Sequence, residues 1–186
     1  MNETISSALI VYGTRWGGTT DVSNKIGDTL RKMGFEVNVV EARRKVPSIS
    51  NYNFIIVGSG IRADQWTKES LNFLEKNASV LHEKKIALFV SCEMATADKK
   101  SADAAKETYL IQVAQKFDLH PISYGFFGGL LDFGRSHGLL ADIIVRLNGR
   151  NLRKHGLNTA GVTDKRNWKQ IETWTSDIVK LLSEKS

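Results

Sequence analysis

Between an apolar run that ends at Tyr12 and apolar residues that recur at Val22, Ile26, Leu30 and Met33, three glycines and three threonines crowd into one turn, Gly13 to Thr20, GTRWGGTT. The recurrence is helical. A loop entering a helix presents backbone N–H groups without intrahelical partners, and the helix dipole adds partial positive charge there, so an anion is favoured. The threonine hydroxyls add donors. Tight packing alone would call for glycines but not for the hydroxyls beside them. The chemistry indicated is capture of a phosphorylated ligand, with Thr14, Arg15, Trp16, Gly17, Gly18 and Thr19 as candidate contacts. Two later loops have similar promise. VGSGIRADQW (57–66) offers Ser59, Gly60, Ile61, Arg62 and Trp66, and VSCEMATADKK (90–100) offers Ser91, Cys92 and Glu93.

Other chemistries find less support. Gly58 to Ala63 formally matches the G-x-G-x-x-G/A dinucleotide fingerprint, but it follows the third strand-like run and lacks the acidic residue about 20 positions on. Asp132 to Gly134 spells DFG without the rest of a kinase signature. His82, His120, His137 and His155 show no ligand spacing, so no metal is expected. Cys92, the single cysteine, allows no intrachain disulfide and reads as a small buried residue in a reducing cytoplasm. Trp66 leaves two readings open, a core plug or a ring stacked on a ligand. Arg62 suits either a ligand's rim or carboxylate, or simple solvation at the surface.

The elements that must position these loops alternate regularly. Strand candidates are Ala8 to Tyr12, Glu36 to Glu41, Phe54 to Gly58, Lys85 to Ser91 and Ile122 to Phe127, and the first, third and fourth are nearly continuous apolar runs. Strands of that kind are buried on both faces. Helices are expected from Thr20 to Met33, from Thr67 to Leu81 and from Ala102 to Phe117. A last helix, opened by Thr163 and Asp164, should carry Trp168, Ile171, Trp174, Ile178 and Leu181 on one face. The alternation predicts an α/β fold of three layers, a doubly wound five-stranded parallel sheet, with ligands outside the carboxyl ends of the strands. With 186 residues, 41% hydrophobic and 25% charged, the chain fits one globular domain. The N-terminal MNETIS lacks the features of an export signal, and no stretch reaches the roughly 18 apolar residues of a spanning helix. A net charge of +6 favours anionic partners without choosing among them.

Thr14, Gly17, Gly18 and Thr19, as T-x-x-G-G-T after the first strand, resemble the phosphate loop of flavodoxins. VGSGIRADQW, GFFGGLLDF (125–133) and VTDKRNWKQI (162–171) resemble, more narrowly, the flavodoxin-like menaquinone-dependent protoporphyrinogen oxidases. The resemblance implies strand order 2-1-3-4-5, FMN as cofactor with its 5′-phosphate on the first loop, and a redox partner protein or quinone, with no nucleic acid expected. Two departures stand out. Trp16 replaces the usual hydroxyl residue of the phosphate loop, and the loop after the fourth strand has no aromatic residue, so stacking on the flavin would be one-sided. Flavodoxins are usually acidic and this chain is basic, which favours accepting electrons from a substrate over delivering them at very low potential. The function classes in view are an FMN-dependent oxidoreductase acting on an organic substrate, a flavodoxin-type electron carrier, and a non-catalytic flavin-binding module.

An ordinary short electron carrier would not need the segment of about 128–162. Within it Leu139, Leu140, Ile143, Ile144 and Leu147 recur at helical spacing beside Arg146, Arg150, Arg153 and Lys154. Such a helix can pack on the sheet or at a dimer contact, or can lie peripherally on the anionic inner face of a membrane. The chain is otherwise expected to be cytoplasmic.

Overall fold

The computed structural model describes residues 6–132 and 162–184. Strands β1 (Ser7–Gly13), β2 (Glu36–Glu41), β3 (Phe54–Gly60), β4 (Lys85–Cys92) and β5 (Ser123–Gly128) form one sheet in the order β2-β1-β3-β4-β5, with every pairing parallel. Helix α1 (Gly18–Lys32) follows β1, and α2 (Lys68–His82) follows β3. After β4 the chain runs through α3 (Lys99–Lys106) and a π-turn (Glu107–Ile111) into α4 (Gln112–Lys116), and α5 (Trp168–Glu184) comes last. This is the doubly wound sheet that the alternation of elements predicts.

The nearly continuous apolar strands are explained by what covers them. Along β1 the side chains alternate: Leu9 and Val11 join a core with Phe73, Leu74 and Leu81 of α2 and with Leu110, while Ala8, Ile10 and Tyr12 join a core with Val22, Ile26 and Leu30 of α1 and Ile171 and Ile178 of α5. Both faces are therefore dry. Each fully buried aliphatic side chain contributes about 1.5–3 kcal/mol relative to an exposed one, so a strand apolar on both faces is held in the centre of the sheet. The edge strand β2 alternates exposed and partly covered residues instead.

Several boundaries differ from the sequence-based expectation for local reasons. The Ala102 to Phe117 helix starts earlier, because the Asp98 carboxylate accepts from the Ser101 amide (3.1 Å) and caps the turn. Thr163 and Asp164 do not open the last helix. They lie in β7 (Val162–Asp164), antiparallel to β6 (Leu130–Asp132), while Asn167 opens α5 by accepting from the Gln170 amide (3.0 Å). Residues 139–147, read as an amphipathic helix, lie outside the described residues.

Arg166 fastens the β6–β7 ribbon to α1. Its side chain is 8% exposed. It donates from Nε (2.8 Å) and Nη2 (2.7 Å) to the two Asp164 carboxylate oxygens, and from Nη1 to Asp21 (2.7 Å) and the Gly18 carbonyl (3.4 Å). The guanidinium also lies 4.5 Å from the centroid of Trp168. This fork is geometry that lysine cannot reproduce. The hydrogen bonds from Arg166 hold the Asp164 carboxyl below the usual carboxylate range. A carboxyl lowered in the folded state stabilises it above the unfolded-state pKa, and that contribution fades as pH falls through the folded value. Arg166→Met should therefore cost about 1–2 kcal/mol at neutral pH, since both carboxylate partners are partly solvated. In urea titrations across pH, the gap between parent and variant should narrow below the ordinary carboxylate range.

Candidate functional site

In the order β2-β1-β3-β4-β5 the direction of winding reverses between β1 and β3, and their carboxyl ends diverge there into loops on opposite faces. A cleft of about 240 Å³ opens at this point, lined by Thr14, Arg15, Trp16, Gly18, Thr19, Gly60, Ile61, Arg62, Ser91, Cys92, Glu93, Gly129 and Leu130. All three loops singled out by sequence contribute. Gly129 and Leu130 are additions from the start of the ribbon. GFFGGLLDF carries them, but no spacing rule points to their place in the wall.

The first loop is built around Gly17, whose φ of +89° turns the strand into the helix. A residue with a Cβ resists that left-handed backbone. Thr14 Oγ1 accepts from the Gly17 amide (3.0 Å), which leaves its own hydroxyl hydrogen to donate. No side chain caps the start of α1. The Thr20 amide donates to the Gly17 carbonyl (2.9 Å), and an uncapped helix start of this kind favours an anion. Gly18 has a different reason to be glycine: a Cβ there would stand 2.9 Å from the Leu130 Cβ. The first loop and the ribbon thus touch.

Three candidates lie outside the lining. Gly17 forms the turn behind it. Ser59 is buried, and its hydroxyl accepts from the Thr67 amide (2.9 Å) at the start of α2. Trp66 corrects the stacking reading. It is 4% exposed, sits in the core with Phe73 and Tyr109, and its indole N–H donates to the Tyr109 carbonyl (2.6 Å) in the π-turn. The aromatic residue in the cavity wall is Trp16 instead, with the Arg62 guanidinium 4.9 Å from its ring centroid. Periodicity could not separate the two tryptophans, because both sit in loops. What buries Trp66 is the tight turn at Ala63 and Asp64, with φ of +46° and +58°, where Arg62 and Gln65 exchange backbone hydrogen bonds (3.0 and 3.1 Å). That turn leaves Arg62 on the cavity side and sends the chain inward. Its Asp64 carboxylate accepts a short hydrogen bond from the Tyr109 hydroxyl. Burial first, and then Asp64, raises the pKa of that phenol.

The electrostatics of the lining are mixed. Arg15 and Arg62 are its cations and Glu93 its carboxylate, the latter 3.7 Å from Lys165 Nζ. Burial pushes the Cys92 thiol up to about 11, so it is neutral at ordinary pH and is not poised as a nucleophile. The histidines do not stay scattered: the fold brings His82 and His120 together beside Asp118, far from the cleft.

A parallel sheet wound 2-1-3-4-5, with a cleft at its switch point, places the chain among the doubly wound α/β proteins. Residues 9–146 match the flavodoxin domain family, and the chain belongs to it. The chain is 21% identical to protoporphyrinogen IX dehydrogenase [quinone] of Escherichia coli, over 93% of this chain and 94% of that protein. The structure also aligns with rubredoxin oxygen:oxidoreductase of Desulfovibrio gigas at a TM-score of 0.58 and 15% identity, covering 98% of this chain and 38% of the other. Family membership supports FMN as the cofactor.

The placement of Trp66 generates a test that needs no ligand. Trp66→Phe should lower stability by about 1–2 kcal/mol, through the lost hydrogen bond to Tyr109 and a partly filled site. Chemical denaturation of the protein stripped of ligand measures it, and an unchanged midpoint would return Trp66 to the surface.

Proposed function

We propose that the cleft holds FMN, and that the chain is an oxidoreductase passing electrons from an organic substrate such as protoporphyrinogen to a quinone. The carrying observation is the uncapped start of α1, opening into a cavity whose near wall includes Thr14, Arg15, Trp16, Gly18 and Thr19. The donor set fits a terminal phosphate: outward backbone N–H groups, the free hydroxyl hydrogen of Thr14, and the adjacent Arg15. The substrate and acceptor classes are drawn from the relative in Escherichia coli, whose length this chain nearly matches.

FMN bound there supplies one- and two-electron chemistry, and the protein supplies position, electrostatics and exclusion of water. In this reading Trp16 offers a ring face for stacking, with Arg62 held beside it for the flavin rim or a substrate carboxylate. Ile61 and Leu130 keep water from the wall they form. Ser91, Cys92 and Glu93 border the third side. Arg15 and Arg62 favour added negative charge on a ligand in the cleft. One charge about 10 Å away through water contributes roughly 0.4 kcal/mol, or about 18 mV for one electron. A few such charges move a potential by tens of millivolts, in the direction that helps accept electrons from a substrate. We assign no general acid or base.

No helix among the described residues is long and apolar enough to cross a membrane. The quinone is proposed to enter through the open mouth of the cleft. Peripheral contact with an anionic membrane, or a dimer contact, would involve residues 139–147, outside the described residues.

Two measurements check this reading. The purified protein should release FMN on denaturation, and Thr14→Val should weaken FMN binding about tenfold or more while leaving riboflavin binding little changed, since a hydrogen bond to a charged group contributes about 1.5–3 kcal/mol. Equal losses for both ligands would remove the phosphate assignment. In stopped-flow mixing, protoporphyrinogen should bleach the oxidised flavin and a menaquinone analogue should restore its colour. Exchange with small iron–sulfur carriers, without either of those reactions, would make the chain an electron carrier.

A further inference from the structure

At the pole opposite the cleft, where α2 ends and the chain approaches β5, three side chains that the flavin site does not use come together. His82 is the last residue of α2, and Asp118 and His120 stand in the turn between α4 and β5. One ligand atom from each lies within 4.8 Å of the others, and all three residues are exposed. The two imidazoles meet edge to face, with centroids 5.2 Å apart. The Asp118 carboxylate is shared between them, with Oδ2 3.7 Å from His82 Nδ1 and Oδ1 4.0 Å from His120 Nε2. We propose that His82, Asp118 and His120 form a surface site for a divalent transition metal, with zinc the best match to the donors.

The donor set carries the choice of metal. Two neutral imidazoles and one carboxylate suit zinc with water in the remaining position, whereas calcium and magnesium take oxygen donors. The fold also provides the support that a metal-binding imidazole uses. His82 Nδ1 lies 2.9 Å from the Asp118 carbonyl, and with a proton on that nitrogen the ring is fixed against the turn and Nε2 carries the lone pair. Asp118 is held in place from the other side. Its φ is +51°, its amide donates to the Gln115 carbonyl (3.1 Å), and the Leu119 amide donates to the Ala114 carbonyl (2.9 Å). Donors around a tetrahedral zinc ion are about 3.3 Å apart, given bonds of about 2.0–2.2 Å. The present separations are wider, and the exposed Asp118 carboxylate and His120 ring close the gap to His82 Nε2 by rotation while the backbone and the His82 ring stay where these hydrogen bonds hold them. The ion would join the end of α2 to the turn before β5, raising stability by binding only the folded chain, and it would do so at the pole remote from the flavin.

The experiment is a zinc titration by calorimetry on the full chain, loaded with its flavin and freed of metal by chelator, at neutral pH. One saturable site with micromolar affinity is expected, together with a rise in melting temperature on adding zinc. His82→Ala and His120→Ala should each weaken binding about tenfold or more, as should Asp118→Asn, whose side chain tolerates the left-handed backbone. The double variant His137→Ala, His155→Ala should bind as the parent does. His120→Gln keeps an exposed polar side chain there, and its metal-free melting temperature should equal the parent's. No saturable binding, binding that survives His82→Ala with His120→Ala, or binding lost with His137 and His155 would each overturn the proposal. None of these results depends on FMN turnover.

Discussion

The first loop of the cleft depends on one backbone turn. Gly17, in the left-handed region, swings the chain from the buried end of β1 into α1, so the helix starts at the carboxyl edge of the sheet with its N–H groups facing out. Most helices meet this problem with a serine, threonine or aspartate at the N-cap. Here the nearest hydroxyl, Thr14, bonds instead to the Gly17 amide and shapes the loop. The start of α1 is left without a side-chain cap. The strand cannot shift to relieve this, because Leu9, Ile10 and Val11 are fully buried between helical layers on both faces. The shape of this loop is thus a consequence of how the sheet is packed, with the glycine supplying the left-handed conformation on which it turns.

The fold was legible because burial on two faces leaves a plain mark. Runs such as Phe54 to Val57 and Ile86 to Val90 have no polar face to hide, and only a central strand in a covered parallel sheet tolerates that. The helices were legible from their stripes. What sequence reading missed were features set by contacts distant along the chain. Thr163 and Asp164 look like a helix start by residue type, yet β6 claims them as a strand partner, and the cap passes to Asn167. His82 and His120 have no spacing in common, and only the packing of α2 against the turn before β5 makes them neighbours.

The two tryptophans show the same limit within the site. Trp16 and Trp66 both occupy glycine-bearing loops, and in both cases a planar ligand could be imagined nearby. Their fates part at two residues with positive φ, Ala63 and Asp64, which reverse the chain so tightly that Arg62 stays at the cleft and Trp66 points into the core. Alanine in that conformation costs about 1–2 kcal/mol. The π-turn of residues 107–111 meets the buried indole, with the Tyr109 carbonyl accepting its N–H. Strain in one loop and irregularity in a helix thus form a single arrangement that places Arg62 beside Trp16.

The wall of the cleft also draws on the far end of the chain. Leu130 reaches Gly18 because β6 pairs with β7, and β7 is held by Arg166, whose guanidinium bonds to Asp164 on the ribbon and to Asp21 in the first turn of α1. A cation near a helix start opposes the helix dipole, and the two carboxylates offset that cost. The arrangement joins the loop that enters α1, the β6–β7 ribbon and the start of α5 through one guanidinium. Any displacement at the base of the ribbon is therefore met at Gly18, in the loop that leads from β1 into α1, because Leu130 leaves no room there for even one added carbon.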